Sequence, residues 1–206
     1  MHTNPGRSPM KTLNWRNVPE QDFYLYARSF HAAAKRLAGT LDSPTLTALD
    51  LCPVLSAYRK AVEVSLKVVV LGEGGNFLPT KPDSISVHKT RSVSWLAQFV
   101  CQIITALKWE KEFRCEGVES LADFKSVVED VNAIDPDFRA FRCPADRVEP
   151  DAAVGDLTVA IRRFVRRLDA VLDLLDGTAD ALAAEWDLRS GKNEMDGGTE
   201  FKPTVH

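Results

Sequence analysis

The chain has 206 residues, 45% hydrophobic and 27% charged, the balance of an ordinary soluble domain rather than of a disordered polymer. Lys and Arg number 26 against 29 Asp and Glu, and a net charge of −3 gives no overall positive field to draw the chain onto nucleic acid or anionic lipid. The longest purely apolar run near the middle is Val68-Val69-Val70-Leu71, well short of a membrane span, and the opening MHTNPGRSPMK lacks the apolar core of a secretory signal. A cytoplasmic protein without membrane contact is expected.

Taken in order, the hydrophobic pattern predicts an all-α, up-and-down bundle of about five helices. Residues 1–16 are expected to be a flexible segment, 17–188 the bundle and 189–206 a disordered tail. Asn17-Val18-Pro19-Glu20 has the form of a capping box, in which Asn17 accepts from the free N–H groups and Glu20 reaches back. Phe23, Tyr26, Phe30, Ala33 and Leu37 follow at steps of three and four, one face of a first helix that ends near Gly39. Ser43-Pro44 can open a short helical piece. Pro53 fits the first turn of a second helix, which turns Val54, Tyr58, Val62, Leu66 and Val69 inward and stops at Gly72.

Residues 72–90, with three Gly and two Pro, read as a loop long enough to be mobile or functional. A third helix over about 91–108 has Val93, Leu96, Val100, Ile103 or Ile104, and Leu107 on one face. Ser120 is placed to cap a fourth, with Asp123 at its third position and Phe124, Val127, Val131 and Ile134 as its apolar face up to Asp135-Pro136. Residues 135–155 carry three Pro and no period, as an extended connector would. The last helix, from about Gly155 to Trp186, has a coiled-coil-like seam of Leu157, Ile161, Phe164, Leu168, Val171 and Leu175, continued by Leu182 and Trp186. A seam of that length exceeds what one small bundle needs, so a homodimer is expected.

The residues that could carry chemistry are few. Gly72-Glu73-Gly74-Gly75 follows a helix rather than a strand and lacks the Lys-Ser/Thr ending of a phosphate loop, so it reads as a helix stop and a flexible loop. Cys52, Cys101, Cys115 and Cys143 form no CxxC pair and are expected as reduced packing residues, with no metal and no cofactor. His31 reads as a half-buried packing residue. His88, at the end of the long loop, reads as solvent-exposed but is a candidate acid or base.

Arg59, Glu63 and Lys67 share one helix face at i, i+4 and i+8. They form either a solvated charge stripe or a polar groove in which Arg59 holds an anion and Glu63 orients it. Arg162, Arg163, Arg166 and Arg167 precede Asp169, Asp173, Asp176 and Asp180, an order that opposes the helix dipole. The Arg cluster can pair with these acids in the same or a second copy, through Arg166–Asp169 and Arg166–Asp173, or contact phosphates of a nucleic acid. Residues 1–144 hold 18 basic and 16 acidic side chains and 145–206 hold 8 and 13, so the cluster lies in the acidic part of the chain.

Three stretches together resemble the HEPN-like helical bundles of bacteria and archaea. They are YLYARSFHAAAKRL over Tyr24–Leu37, the aromatic-Arg-x-Ala-x-Glu-x-x-Leu-Lys pattern over Tyr58–Lys67, and the Ala133–Pro144 segment, which looks like an "IDP…FRYP" signature. The resemblance covers about residues 20–147. It implies a helical bundle, commonly dimeric, in proteins tied to RNA cleavage, toxin–antitoxin pairs and phage defence, with a partner encoded nearby or RNA as the interacting molecule. Ribonuclease members use Arg, four to six variable residues, then His; no Arg stands at that spacing before His31 or His88, and Arg28 precedes His31 by three. Arg91-Ser92-Val93 stands where related bundles often have His-Asp-Leu. The resemblance carries Arg59 and Glu63 over as polar-groove residues. A non-catalytic binding or partner module is therefore expected. The alternatives are a metal-independent ribonuclease using Arg59, Glu63 and His88, and a nucleic-acid-binding protein using Arg162, Arg163, Arg166 and Arg167.

Overall fold

The computed structural model describes residues 20–43, 48–134 and 154–196, and among them every regular element is helical apart from one isolated bridge between Cys115 and Val118. The fold is an all-α bundle. Its helices are α1 (Glu20–Ala38), α2 (Ala48–Leu71), α3 (Ser84–Lys89), α4 (Val93–Leu107), α5 (Leu121–Ile134) and α6 (Val154–Asp196), with single 3-10 turns at Gly39–Asp42 and Glu73–Phe77. The capping Asn17, the Pro44 start and the 135–153 connector with Cys143 lie outside the described residues.

The center of the bundle is α2. From Tyr58 to Leu71 every residue except Lys60 and Val68 is buried, as expected of a helix that has neighbors on all sides. The helix starts at Ala48, so Pro53 lies inside it and not in its first turn. The ring there removes one backbone donor, to the carbonyl of Leu49, and is itself exposed.

Along α1 the expected period holds but the face is turned by one residue. Ala27 and Ala34 are buried with Phe23, Phe30 and Ala38 partly covered, whereas Ala33 and Leu37 are exposed. Small alanines on the inner face let α1 approach α2 closely. The rotation frees another face, carrying Tyr24, Arg28, His31 and Lys35, to meet α6.

Residues 72–92 are ordered by local bonds and form no loose loop. Asp83 caps α3 by accepting from the Ser86 amide at 2.9 Å. The segment then runs back along α2: Lys67 meets the His88 carbonyl and Arg59 the Arg91 carbonyl. Consequently α4 starts beside the middle of α2 and rises in the same direction, so that Ile103 reaches Gly74. At this connection the bundle departs from strict up-and-down order.

Gly74 is the tightest point of that turn, since a β-carbon there would collide with the Val69 carbonyl oxygen and sit 3.1 Å from side-chain carbons of Ile103 and Leu182. Further on, α4 ends at Lys108 in the left-handed region (φ 60°), whose amide returns to the Ile104 and Thr105 carbonyls. Ser120 and Asp123 cap α5 reciprocally: the Ser120 Oγ accepts from the Asp123 amide at 3.2 Å, and the Asp123 carboxylate accepts from the Ser120 hydroxyl at 2.8 Å. Phe124, Val127 and Val131 then face inward as their spacing predicts.

Helix α6 spans 43 residues, about 65 Å at 1.5 Å per residue. It continues through Arg189 to Asp196, past the Trp186 end of its apolar pattern. Ile161, Leu168, Val171, Leu175 and Leu182 are buried against the chain's own core. The seam is thus spent inside one molecule, and its length no longer argues for a second copy.

Gly74→Ala is expected to lower stability by about 1–3 kcal/mol through overpacking against fixed backbone. Gly39→Ala, where nothing lies within 4 Å, should be neutral or slightly stabilizing. Urea unfolding of the two variants checks the difference in sign.

Candidate functional site

Two polar assemblies stand out. The first lies on α2, where the buried environment brings Arg59, Glu63 and Lys67 together. Arg59 and Glu63 are each 2% exposed and Lys67 is 5% exposed, so the stripe is an interior cluster and not a solvated face. Glu63 Oε1 accepts from Lys67 Nζ at 2.8 Å and from Lys60 Nζ at 2.9 Å, while Oε2 lies 3.9 Å from Arg59 Nη1. Lys67 donates also to the His88 carbonyl at 3.0 Å, and Arg59 to the Arg91 carbonyl at 3.2 Å.

Burial pushes the Glu63 carboxyl up, but the hydrogen bonds and charges of Lys67 and Lys60 outweigh it and hold the group below its ordinary range. Burial lowers Lys67, with Lys60 and Arg91 adding repulsion against the attraction of Glu63. Several cations share one carboxylate, so Glu63 remains ionized.

His88 joins this cluster only by its backbone. Its side chain is exposed, with the ring 5.0 Å from that of Phe23. The three proposed ribonuclease groups therefore do not converge: two are buried against each other, and the third points elsewhere.

The second assembly was not singled out as a unit in the sequence. Tyr24, Arg28, His31 and Lys35 on α1 face Asp180, Asp176, Asp173 and Asp169 on α6, and the two helices run antiparallel. Tyr24 Oη donates to Asp180 at 2.9 Å, and Arg28 donates to both oxygens of Asp176 at 2.8–3.1 Å. His31 Nε2 lies 2.8 Å and Tyr58 Oη 2.8 Å from the same Asp169 Oδ1, and Lys35 lies 3.5 Å from Asp173. Burial, reinforced by the bonds to acidic groups, raises the Tyr24 phenol to about 12 and pushes Tyr58 up further still. Both tyrosines act as neutral donors. The signal was present: basic or hydroxyl groups at steps of four, three and four on α1 match acids at the same steps on α6.

These acids face α1, and within the chain the Arg166–Asp169 and Arg166–Asp173 pairings do not form. The Arg cluster is split between bonded edges and an exposed middle. Arg162 donates to the Leu41 carbonyl and pairs with Asp42 at 3.1 Å, and Arg167 donates to the Gly117 carbonyl at 3.0 Å. Arg163 and Arg166 are exposed.

Among the described residues no group of three or more His, Cys, Asp or Glu could hold a metal ion, and no helix is long and apolar enough to cross a membrane. Burial raises the thiols of Cys52, Cys101 and Cys115, making them poor nucleophiles.

Glu63→Gln is expected to destabilize by about 3 kcal/mol, because it leaves buried cations without their counter-charge, while Lys60→Met should cost under ~1 kcal/mol. The folded carboxyl titrates below its unfolded value, so its contribution is complete above the ordinary carboxyl range and is lost as pH falls through the depressed value. Stability of Glu63→Gln should therefore decline less steeply in acid than that of the parent, as a pH series of denaturant melts reads directly. At the second assembly, Tyr58→Phe should cost about 1 kcal/mol and Asp169→Ala about 2–3 kcal/mol, since the latter strands a buried hydroxyl. A double-mutant cycle should give a coupling of at least ~0.5 kcal/mol.

Comparison with protein-family models, with curated proteins and with solved structures found no match for the chain.

Proposed function

We propose that the chain is a HEPN-like bundle working as a non-catalytic binding or partner module, in the toxin–antitoxin or phage-defense setting that its resemblance implies, with a protein encoded nearby as partner. The observation that supports this reading is the closure of the α2 cluster. Glu63 is 2% exposed with both lysines on it, and the His88 ring lies outside, so the cluster offers no acid, base and anion holder around one reacting phosphate. Its bonds instead hold the 72–92 segment against α2. Self-association belongs to the same proposal, through an outer bundle face, because the α6 seam is already covered.

Purified protein incubated with total RNA is expected to leave it intact. Cleavage that disappears in both His88→Ala, an exposed position, and Arg59→Ala would replace the proposal with the ribonuclease reading. RNA binding that weakens steeply with salt and is abolished by Arg163→Glu with Arg166→Glu would replace it with an RNA-binding one.

A further inference from the structure

A cavity of about 410 Å³ opens between the first turns of α1, the C-terminal end of α2 with its glycine turn, and α6. That volume is within the range of small-molecule sites. Phe23, Val68, Leu71 and Leu182 give it apolar walls, and Tyr24, Glu73 and Asp180 supply polar groups. Its backbone floor is rigid, since the Gly72–Gly74 turn is packed against the Val68 and Val69 carbonyls.

The charge at this cavity is one-sided. Among the described residues no Lys, Arg or His lines it, while Glu73 and Asp180 do. Asp180 accepts from the Tyr24 hydroxyl, which is neutral and gives no counter-charge. Among the described residues Asp180 is paired only with Arg28, at 3.7 Å, and that guanidinium is shared with both oxygens of Asp176 and lies over the Tyr24 ring. Glu73 accepts from the neutral Asn76 amide. An apolar interior with two acidic residues and no cation among its described lining residues discriminates by charge: it favors a protonated amine and repels a carboxylate of the same length.

We infer that this cavity binds a small amphipathic cation, with its apolar chain or ring against Phe23 and Leu182 and its ammonium at Glu73 and Asp180. The inference concerns a different part of the molecule from the α2 cluster and stands apart from the partner-module proposal.

The test titrates the full chain with n-octylamine and, separately, with octanoate, following backbone amide shifts of residues 68–74 and 179–183. Saturable octylammonium binding, at least tenfold tighter than octanoate, is expected. Glu73→Gln with Asp180→Asn should erase that preference. Ala183→Trp, which fills the cavity from an exposed position on α6, should abolish binding with the far-UV spectrum unchanged. Equal affinity for the amine and the carboxylate, persistence of the preference in the charge variant, or absence of saturable shifts up to millimolar amine overturns the inference.

Discussion

The structure turns on one carboxylate. Glu63 sits in the buried half of α2, and with it the chain places Arg59 and Lys67 in a core dominated by Val, Leu and Ile. Burying such charges is costly unless they compensate each other, and replacing them all with apolar residues is often neutral for stability. What an apolar replacement could not do is satisfy backbone. Lys67 and Arg59 each donate to a carbonyl of the returning segment, at His88 and Arg91, and so fix where that segment lies. The position of α4 follows, since it starts at the end of this return. Remove the charge of Glu63 and the two donors lose the anion that holds them in place.

The two sides of the bundle are joined by different means. On the side of α4 and α5 the core is aliphatic and aromatic, and Phe113, between those two helices in sequence, packs edge to face on Phe124 of α5 at 5.1 Å. Toward α1, close approach is made by alanines, and the outward part of the contact passes to the tyrosine, arginine, histidine and lysine that reach α6. Asp169 accepts from residues of two different helices, α1 and α2, and so ties all three elements at one oxygen atom.

Much of this was legible in the residues. The helices, the Ser120 cap and the inward faces of α5 and α6 follow from period and from local hydrogen bonding, which depend on nearby sequence. Burial of the α2 charges was harder to read, because i, i+4, i+8 spacing is the same for a wet face and an interior one. The rest of the helix, with Val62, Val64, Leu66 and Val68–Leu71, is apolar, so the polar stripe reads as its solvent side; what buries it is the 72–92 segment returning over it, a contact that spacing does not display. The arginines of α6 misled for a geometric reason. At about 100° per residue the four span an arc of roughly 140°, with Arg163 and Arg166 in its exposed middle and Arg162 and Arg167 at its two edges, where each meets a carbonyl of a different neighbor. Glycines 72, 74 and 75 looked permissive, yet their role is to let backbone lie against backbone, which depends on a contact with α2 that composition does not display.

The α1–α6 contact has a consequence for how the molecule responds to its medium. Arg28, Lys35, Asp173 and Asp180 keep much of their surface in water, where added salt screens their attraction over a few ångströms. The aliphatic joints of α2 with α4 and α5 have no such dependence and are tightened, if anything, by strongly hydrated salts. Ionic strength therefore acts on this bundle directionally, loosening one seam while leaving the opposite ones closed.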